Sequence, residues 1–204
     1  GLLFPEEPDP CAPGQDAIEN VISELSQYEL VPVSMQSLHF GVSGAVLFGN
    51  LDERITFMHS IQRAAQLAER MSFSNLVIGS PKSRIVPDDM TGEEANEIAR
   101  AAFTSLADKV ETTGQVLAIE PNPAAYGTNF LTTVDAVCDF VASCDHPAIT
   151  INFDTGALHM NDEADKAVIL FQRALPKVSH IHISEAWLAP VPSERAWLEG
   201  FARM

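Results

Sequence analysis

The sequence predicts a parallel α/β fold, and three features carry that expectation. Helical and strand patterns alternate strictly along the chain. Each strand-like run is short and stops at Gly, Pro or Asn. The polar residues of these runs collect at their C-terminal ends. Two architectures meet these conditions, an open doubly wound sheet and part of a (β/α)8 barrel. No low-complexity linker interrupts the 204 residues, so one domain over residues 1–204 is expected.

The elements follow in order. Asp16 to Gln27 reads as a helix, with Ile18, Val21, Ile22 and Leu25 on one face. Leu30 to Leu38 reads as a strand, weakened early by Pro32. Asp52 to Met71 is a helix with a stripe of Ile55, Met58, Ile61, Ala65 and Ala68. Leu76-Val77-Ile78 is a short buried strand ended by Gly79-Ser80-Pro81. Thr91 caps the next helix, with Glu94 three residues on. That helix runs to about Thr112, and a strand follows over Gln115 to Glu120, stopped by Pro121-Asn122-Pro123. A helix from Thr132 or Thr133 to Cys144 precedes the strand Ala148 to Asp154. Asn161-Asp162-Glu163 opens a helix to about Leu175, and Ser179 to Ser184 is the last clear strand. A Pro-rich loop then leads to a terminal helix capped by Ser193.

Composition narrows the function classes. With 46% hydrophobic and 20% charged residues the chain is globular, so disorder and collagen-like repeats are excluded. The net charge of −16 works against binding to phosphate backbones or anionic lipid, so neither nucleic acid nor membrane is an expected partner. No apolar run is long enough to span a bilayer, and the opening residues Gly1 to Glu7 lack the pattern of a signal peptide. Cys11, Cys138 and Cys144 fit no zinc spacing and read as free thiols in a reducing, cytoplasmic setting.

The strand ends carry the chemistry. Side chains alternate faces along a strand, so Thr150, Asn152 and Asp154 share one face against Ile149, Ile151 and Phe153. His180, His182 and Ser184 likewise oppose Ile181 and Ile183, and Glu120 ends its own strand. In parallel α/β folds the C-terminal strand ends form the active face. A carboxylate there is costly unless it is paired or binds a cation. Glu120, Asp154 and His182 together suit a divalent metal, with oxygen ligands for Mn or Mg and an imidazole that widens the choice to Zn or Co. The competing reading makes each a separate polar cap on its own strand.

His159, five residues after Asp154, is either a further contact at the same centre or a solvated loop histidine. Glu185 reads as an exposed loop acid in preference to a partner that orients an imidazole. Ser80, Lys82 and Arg84, just after a strand, offer a hydroxyl and two cations to a phosphate or sugar hydroxyl. Asn122, Tyr126 and His39 are candidates for lining the pocket, whereas His59 and His146 read as structural.

Ile119-Glu120-Pro121-Asn122-Pro123, Tyr126-Gly127-Thr128-Asn129-Phe130, Asp154-Thr155-Gly156 and His180-Ile181-His182-Ile183-Ser184-Glu185 resemble the sugar phosphate isomerase/epimerase family. This is the xylose-isomerase-like TIM barrel group, which includes ketose 3-epimerases and the endonuclease IV type of nuclease. The similarity covers about residues 30 to 190 and extends to Gly79-Ser80-Pro81-Lys82-Ser83-Arg84. It implies a (β/α)8 TIM barrel with one divalent metal, often Mn, at the C-terminal mouth. Glu120, Asp154 and His182 match three of the metal ligands, and His159 is similar to the histidine that contacts substrate oxygens. In ketose epimerases an Arg follows the ligand His by six positions; Leu188 stands there in this sequence. In register with the family, Gly1 to Pro5 falls in the loop after the second strand and Met204 in the helix before the eighth. The barrel is then incomplete, without its first two strands and its last. That last strand brings a fourth ligand, a Glu that also acts as acid and base. An open sheet of this kind exposes edges, so homo-oligomers or poor solubility are expected.

The resemblance implies a metal-dependent isomerase or epimerase of sugar metabolism that acts on a hydroxy-carbonyl substrate through a metal-bound enediolate, with Glu120 as the catalytic carboxylate. Two alternatives stay open: a metal-free binding or assembly module derived from the same barrel, and a metal-dependent phosphodiesterase of the endonuclease IV type. A dehydratase or lyase would use the same enediolate.

Overall fold

The computed structural model describes residue 4 and residues 12–190. Among the described residues five parallel strands lie in the order of the sequence: β1 (Ser34–Met35), β2 (Asn75–Ile78), β3 (Val116–Ile119), β4 (Ile149–Asp154) and β5 (Val178–His182). The helices are α1 (Gln15–Gln27), α2 (Leu51–Arg70), α3 (Gly92–Glu111), α4 (Val134–Cys144), α5 (Thr155–Met160) and α6 (Ala167–Ala174). Consecutive parallel neighbours joined by helices are the expected βα succession, here as an incomplete (β/α) barrel. Cys11, the Ser193 cap and the terminal helix lie outside the described residues, as does the side chain of Leu188.

Alternation sorts the two faces of the sheet. Leu76, Ile78, Leu117, Ile119, Ile149, Ile151 and Phe153 are all buried in the hydrophobic core cluster. Helices supply the other half of that core: Phe57, Ile61 and Ala68 from α2, Ala99, Phe103 and Leu106 from α3, and Val137 and Phe140 from α4. Phe57, Phe103 and Phe140 pack in series, with ring centroids 6.2 and 5.7 Å apart. The α2 stripe is rotated from the expected one. Phe57, Ala64 and Leu67 are buried, and Ile55 stands 42% exposed. Thr91 and Glu94 form the expected capping box, and Asn50 with Glu53 forms a second one at the start of α2.

The opposite parity faces the inside of the barrel and is polar at its N-terminal end. Asn75 Nδ2 donates to Ser34 Oγ at 2.9 Å, and Ser179 Oγ donates to Asn75 Oδ1 at 2.7 Å. Ser179 also meets Thr150 Oγ1 at 2.7 Å. Asn75 on β2 and Ser179 on β5 are three strand spacings apart, about 14 Å in a flat sheet. Two short side chains bridge that span only if the sheet curls, so this contact records the barrel curvature.

Three expectations are corrected. The first strand shrinks to Ser34–Met35, because Pro32 has no N–H to give and Ser37 turns to a φ of 59°. The segment after Asp154 is the short helix α5 and not a loop, with Asp154 as its N-cap. The helix expected from Asn161 begins as a 3-10 turn, Ala164–Lys166, and becomes α-helical only at Ala167.

Replacing Asn75 by Ala would leave Ser34 and Ser179 without their shared partner. We expect a loss of about 1–3 kcal/mol, larger than the loss of about 1 kcal/mol for Thr91→Ala at the α3 cap. Urea unfolding of both variants measures the difference.

Candidate metal centre

The strand ends converge. One ligand atom from each of Glu120, Asp154 and His182 lies within 4.8 Å of the other two, and this is the only such cluster of three or more among the described residues. Three adjacent strands supply them: Glu120 directly follows β3, Asp154 ends β4 and His182 ends β5. Asp154 is paired in register with His182, and Asn152 with His180.

Each of the three candidates is held by neighbours. Glu120 Oε1 accepts from Asn152 Nδ2 at 2.6 Å, and Glu120 Oε2 accepts from Asn122 Nδ2 at 3.1 Å. Asp154 Oδ1 accepts from the Ser184 hydroxyl at 2.5 Å and from the Gly156 N–H at 2.7 Å. Burial pushes the Asp154 carboxyl above its ordinary pKa, and the Ser184 bond pulls it back. Gly79 gives Glu120 its space: a Cβ there would meet Oε2 at 2.6 Å.

His182 Nδ1 lies 2.9 Å from Glu120 Oε1 and 2.9 Å from Asn152 Nδ2. If Nδ1 carries no proton, its lone pair faces a carboxylate oxygen at hydrogen-bond distance. A proton on Nδ1 or a cation relieves that contact, and Asn152 Nδ2 can also donate to the unprotonated nitrogen. The bond to Glu120, against burial, raises the His182 pKa, which is the proton solution. Two carboxylates and an imidazole around one point also form a donor set for Mn, Mg, Co or Zn, which is the cation solution.

The remaining expected residues take different places. Asn122 is buried within the site. Tyr126 reaches its edge, where burial and then Asp154 and Glu120 raise the phenol pKa. Its ring meets Trp187 edge to face at 5.7 Å. His159 lies half-buried on α5, outside the three-residue cluster. Ser80 forms a left-handed turn with φ 48°, and Lys82 is exposed.

Arg84 turns inward and is fully buried, with Nη2 donating to Glu120 O at 3.1 Å and to Asn122 Oδ1 at 2.9 Å. Burial pulls its pKa down to about 10, and Glu120 pushes it up. His39 is buried too. Ser60 Oγ donates to Phe57 O, so it accepts from His39 Nδ1 at 2.6 Å. Burial, then Arg84, holds the His39 pKa down to about 4. Glu185, expected to be exposed, is 7% exposed. His146 is structural as expected, with Nδ1 accepting from the Ala148 N–H at 3.1 Å.

Sequence reasoning did not single out Asn152, Ser184, Gly79 or Trp187. The parity that placed Asp154 on the inner face placed Asn152 there as well, and that was the available signal for it.

Two outcomes are expected. Gly79→Ala keeps the fold, because the obstructed atom ends a flexible side chain, but displaces Glu120 and weakens divalent-metal binding by tenfold or more (about 10–100-fold is typical when a ligand's support is lost). Calorimetric titration checks this. For His39 the unfolded chain protonates near pH 6.5 and the folded chain near 4. Its burial contributes stability above pH 6.5 that is lost as pH falls through that window. His39→Gln should remove that part of the pH dependence in urea unfolding between pH 7 and 4.

Comparison with known proteins agrees with this architecture. The family described as "Xylose isomerase-like TIM barrel" matches residues 3–197. No curated protein sequence matches the chain. Among solved structures, Escherichia coli (E. coli) YcjR, a 3-keto-D-glucoside 4-epimerase, is similar at a TM-score of 0.72 and 14% identity, over 92% of this chain and 73% of that one. A D-psicose 3-epimerase, crystallised in the presence of D-fructose, gives 0.73 and 14%, over 90% and 62%. An AP endonuclease family 2 protein from Brucella melitensis gives 0.72 and 16%, over 91% and 71%. This chain therefore spans less than two thirds of the psicose epimerase, and at these identities the likeness is one of fold. The match over residues 3–197, together with the parallel strands and their convergent ends, establishes that the chain belongs to the xylose isomerase-like TIM barrel family.

Proposed function

We propose that this chain carries the metal centre of a divalent-metal-dependent isomerase or epimerase acting on a sugar-like hydroxy-ketone. The observation that carries the reading is the meeting of Glu120, Asp154 and His182 within 4.8 Å at the C-terminal end of a parallel barrel sheet. In this reading the three residues would hold one metal, Mn first, which would supply Lewis acidity towards the substrate carbonyl. Glu120 takes the proton from the hydroxyl-bearing carbon next to the carbonyl; its delivery to the neighbouring carbon isomerises the substrate, and epimerisation needs a second acid on the opposite face. Ser184 and the Gly156 N–H fix Asp154, while Asn122 and Asn152 fix Glu120. Tyr126 and Trp187 form the rim that the substrate meets, with Ser80, Lys82 and His159 as further candidates for its hydroxyls. Arg84 and His39 support the wall from behind. The fold similarity to sugar epimerases supports the substrate class. Unpaired Cys138 and Cys144 fit a reducing, cytoplasmic setting.

Two carboxylates and one imidazole favour this proton transfer over the endonuclease IV type of phosphodiester hydrolysis, a reading that calls for more than one metal and more histidine ligands. The net charge of −16 also opposes DNA.

Metal content by plasma mass spectrometry, on protein purified without chelator or affinity tag, tests the reading. Near-stoichiometric Mn, Co or Zn is expected in the wild type. A Glu120→Gln/Asp154→Asn/His182→Gln variant should have lost it. No metal in the wild type after incubation with each of these ions overturns the reading and favours a metal-free binding module.

A further inference from the structure

We infer that Arg84 is a positioning residue that sets the Glu120 carboxylate by fixing which way the Asn122 carboxamide points. The inference rests on the metal reading above for its consequence, but not for its geometry.

Arg84 closes the 3-10 turn Pro81–Arg84 that follows β2. Main-chain bonds pin this turn: Leu47 N–H donates to Ser83 O at 2.9 Å, and Thr128 Oγ1 donates to Arg84 O at 3.1 Å. The side chain is fully buried, and both of its hydrogen bonds come from Nη2, to Glu120 O and to Asn122 Oδ1. Nε and Nη1 are buried with no partner. The guanidinium is thus not knitting a wide network. Its bonding goes to the main chain of one metal-ligand candidate and to the side chain that holds the same residue.

A guanidinium only donates. Asn122 must therefore turn its oxygen to Arg84, and its Nδ2 is left facing Glu120 Oε2 at 3.1 Å. Reversing the carboxamide would set N–H against N–H at Arg84 and oxygen against oxygen at Glu120. The two ends of a carboxamide are nearly the same size, so packing alone does not choose between them. Arg84 makes the choice from the oxygen end, and the Glu120 carboxylate favours the same orientation from the nitrogen end. Asn152 Nδ2 holds the other Glu120 oxygen at 2.6 Å, and Gly79 lies against Oε2. The carboxylate is gripped at both ends, and one of the grips depends on a residue that does not itself touch the carboxylate.

A double-mutant cycle tests this. Mn2+ affinity is measured by electron paramagnetic resonance titration for the wild type, Arg84→Met, Asn122→Ala and the double variant, with thermal unfolding alongside. Each single change is expected to weaken Mn2+ binding about tenfold. The double variant should be no weaker than the weaker single, because both remove the same hold. Unchanged affinity in Arg84→Met, or losses that multiply, overturn the inference.

The Asn122 side-chain amide signal in nitrogen-15 NMR, assigned by its loss in Asn122→Ala, reports the orientation without metal. Slow exchange in the wild type and fast exchange in Arg84→Met are expected, and equal exchange overturns the inference. If the wild type takes up no Mn2+, the metal reading fails while the amide signal still decides the role of Arg84. If Arg84→Met does not fold, Arg84→Lys keeps a donor for Asn122. It should then retain both the slow amide exchange and metal affinity near that of the wild type, and fast exchange in that variant overturns the inference.

Discussion

Curvature of the sheet is the constraint on which the site depends. Strand-end side chains on a flat parallel sheet spread along a line about 4.8 Å per strand. The Ser179–Asn75 bond closes the span from β5 to β2 at 2.7 Å, so the inner faces of these strands lean towards each other. The same lean brings His182 to Glu120 across the intervening strand at 2.9 Å. The polar bottom layer of Ser34, Asn75, Thr150 and Ser179 and the polar top layer of Glu120, Asp154 and His182 are two readouts of one curl. Apolar burial on the outer face drives the helices onto the sheet without fixing its curvature. Directional bonds inside the barrel do that.

Much of this was legible in the sequence because strand parity is a strong signal. Thr150, Asn152 and Asp154 had to share a face once Ile149, Ile151 and Phe153 took the other, and Glu120 and His182 ended neighbouring apolar runs. The family resemblance then gave the barrel. What stayed hidden was non-local. The register shifts between Ile151 and Asn152 so that β5 carries one extra residue, which brings Ser179 inward beside the face of His180 and His182. A parity count alone assigns it to the wrong side. Arg84 reads, with Lys82, as a cation offered to a phosphate or sugar hydroxyl, because nothing local says that residues 120–130 will cover it. His39 reads as the end of a strand that barely forms.

Burying Arg84 is unfavourable by itself. A charged group leaves water, and its Nε and Nη1 find no partner, an omission of about 1–3 kcal/mol for each buried donor. Its nearest compensation is the negative charge of Glu120, which raises the pKa that burial lowers. A hydrophobic residue of the same volume would pack there at lower cost. The exchange makes sense if what is gained is a single orientation of nearby groups and not stability. His39 behaves differently: neutral in the fold, it is satisfied at Nδ1 by Ser60 and contributes as an aromatic ring 4.4 Å from Phe57. Two cationic residue types thus lie behind one wall, one kept charged and one kept neutral, according to whether a carboxylate lies near.

A carboxylate held at both oxygens has little freedom to follow a substrate. If Glu120 both ligates a cation and moves a proton, the reacting carbon must be brought to it. The parts of the molecule able to do that are the rim residues, which are not tied into the Glu120–Asn122–Asn152 clamp. Tyr126 sits on a 3-10 turn ended by Gly127 at φ 81°, and Trp187 on a turn where its own φ is 58° and its ring is 67% exposed. Positive φ at a bulky residue is held only where the surroundings enforce it, and such residues gather at ligand clamps. The division is between a rigid floor, built from strand ends and carboxamides, and an aromatic rim on turns. Under the proposed function, substrate choice would belong to the rim and proton chemistry to the floor.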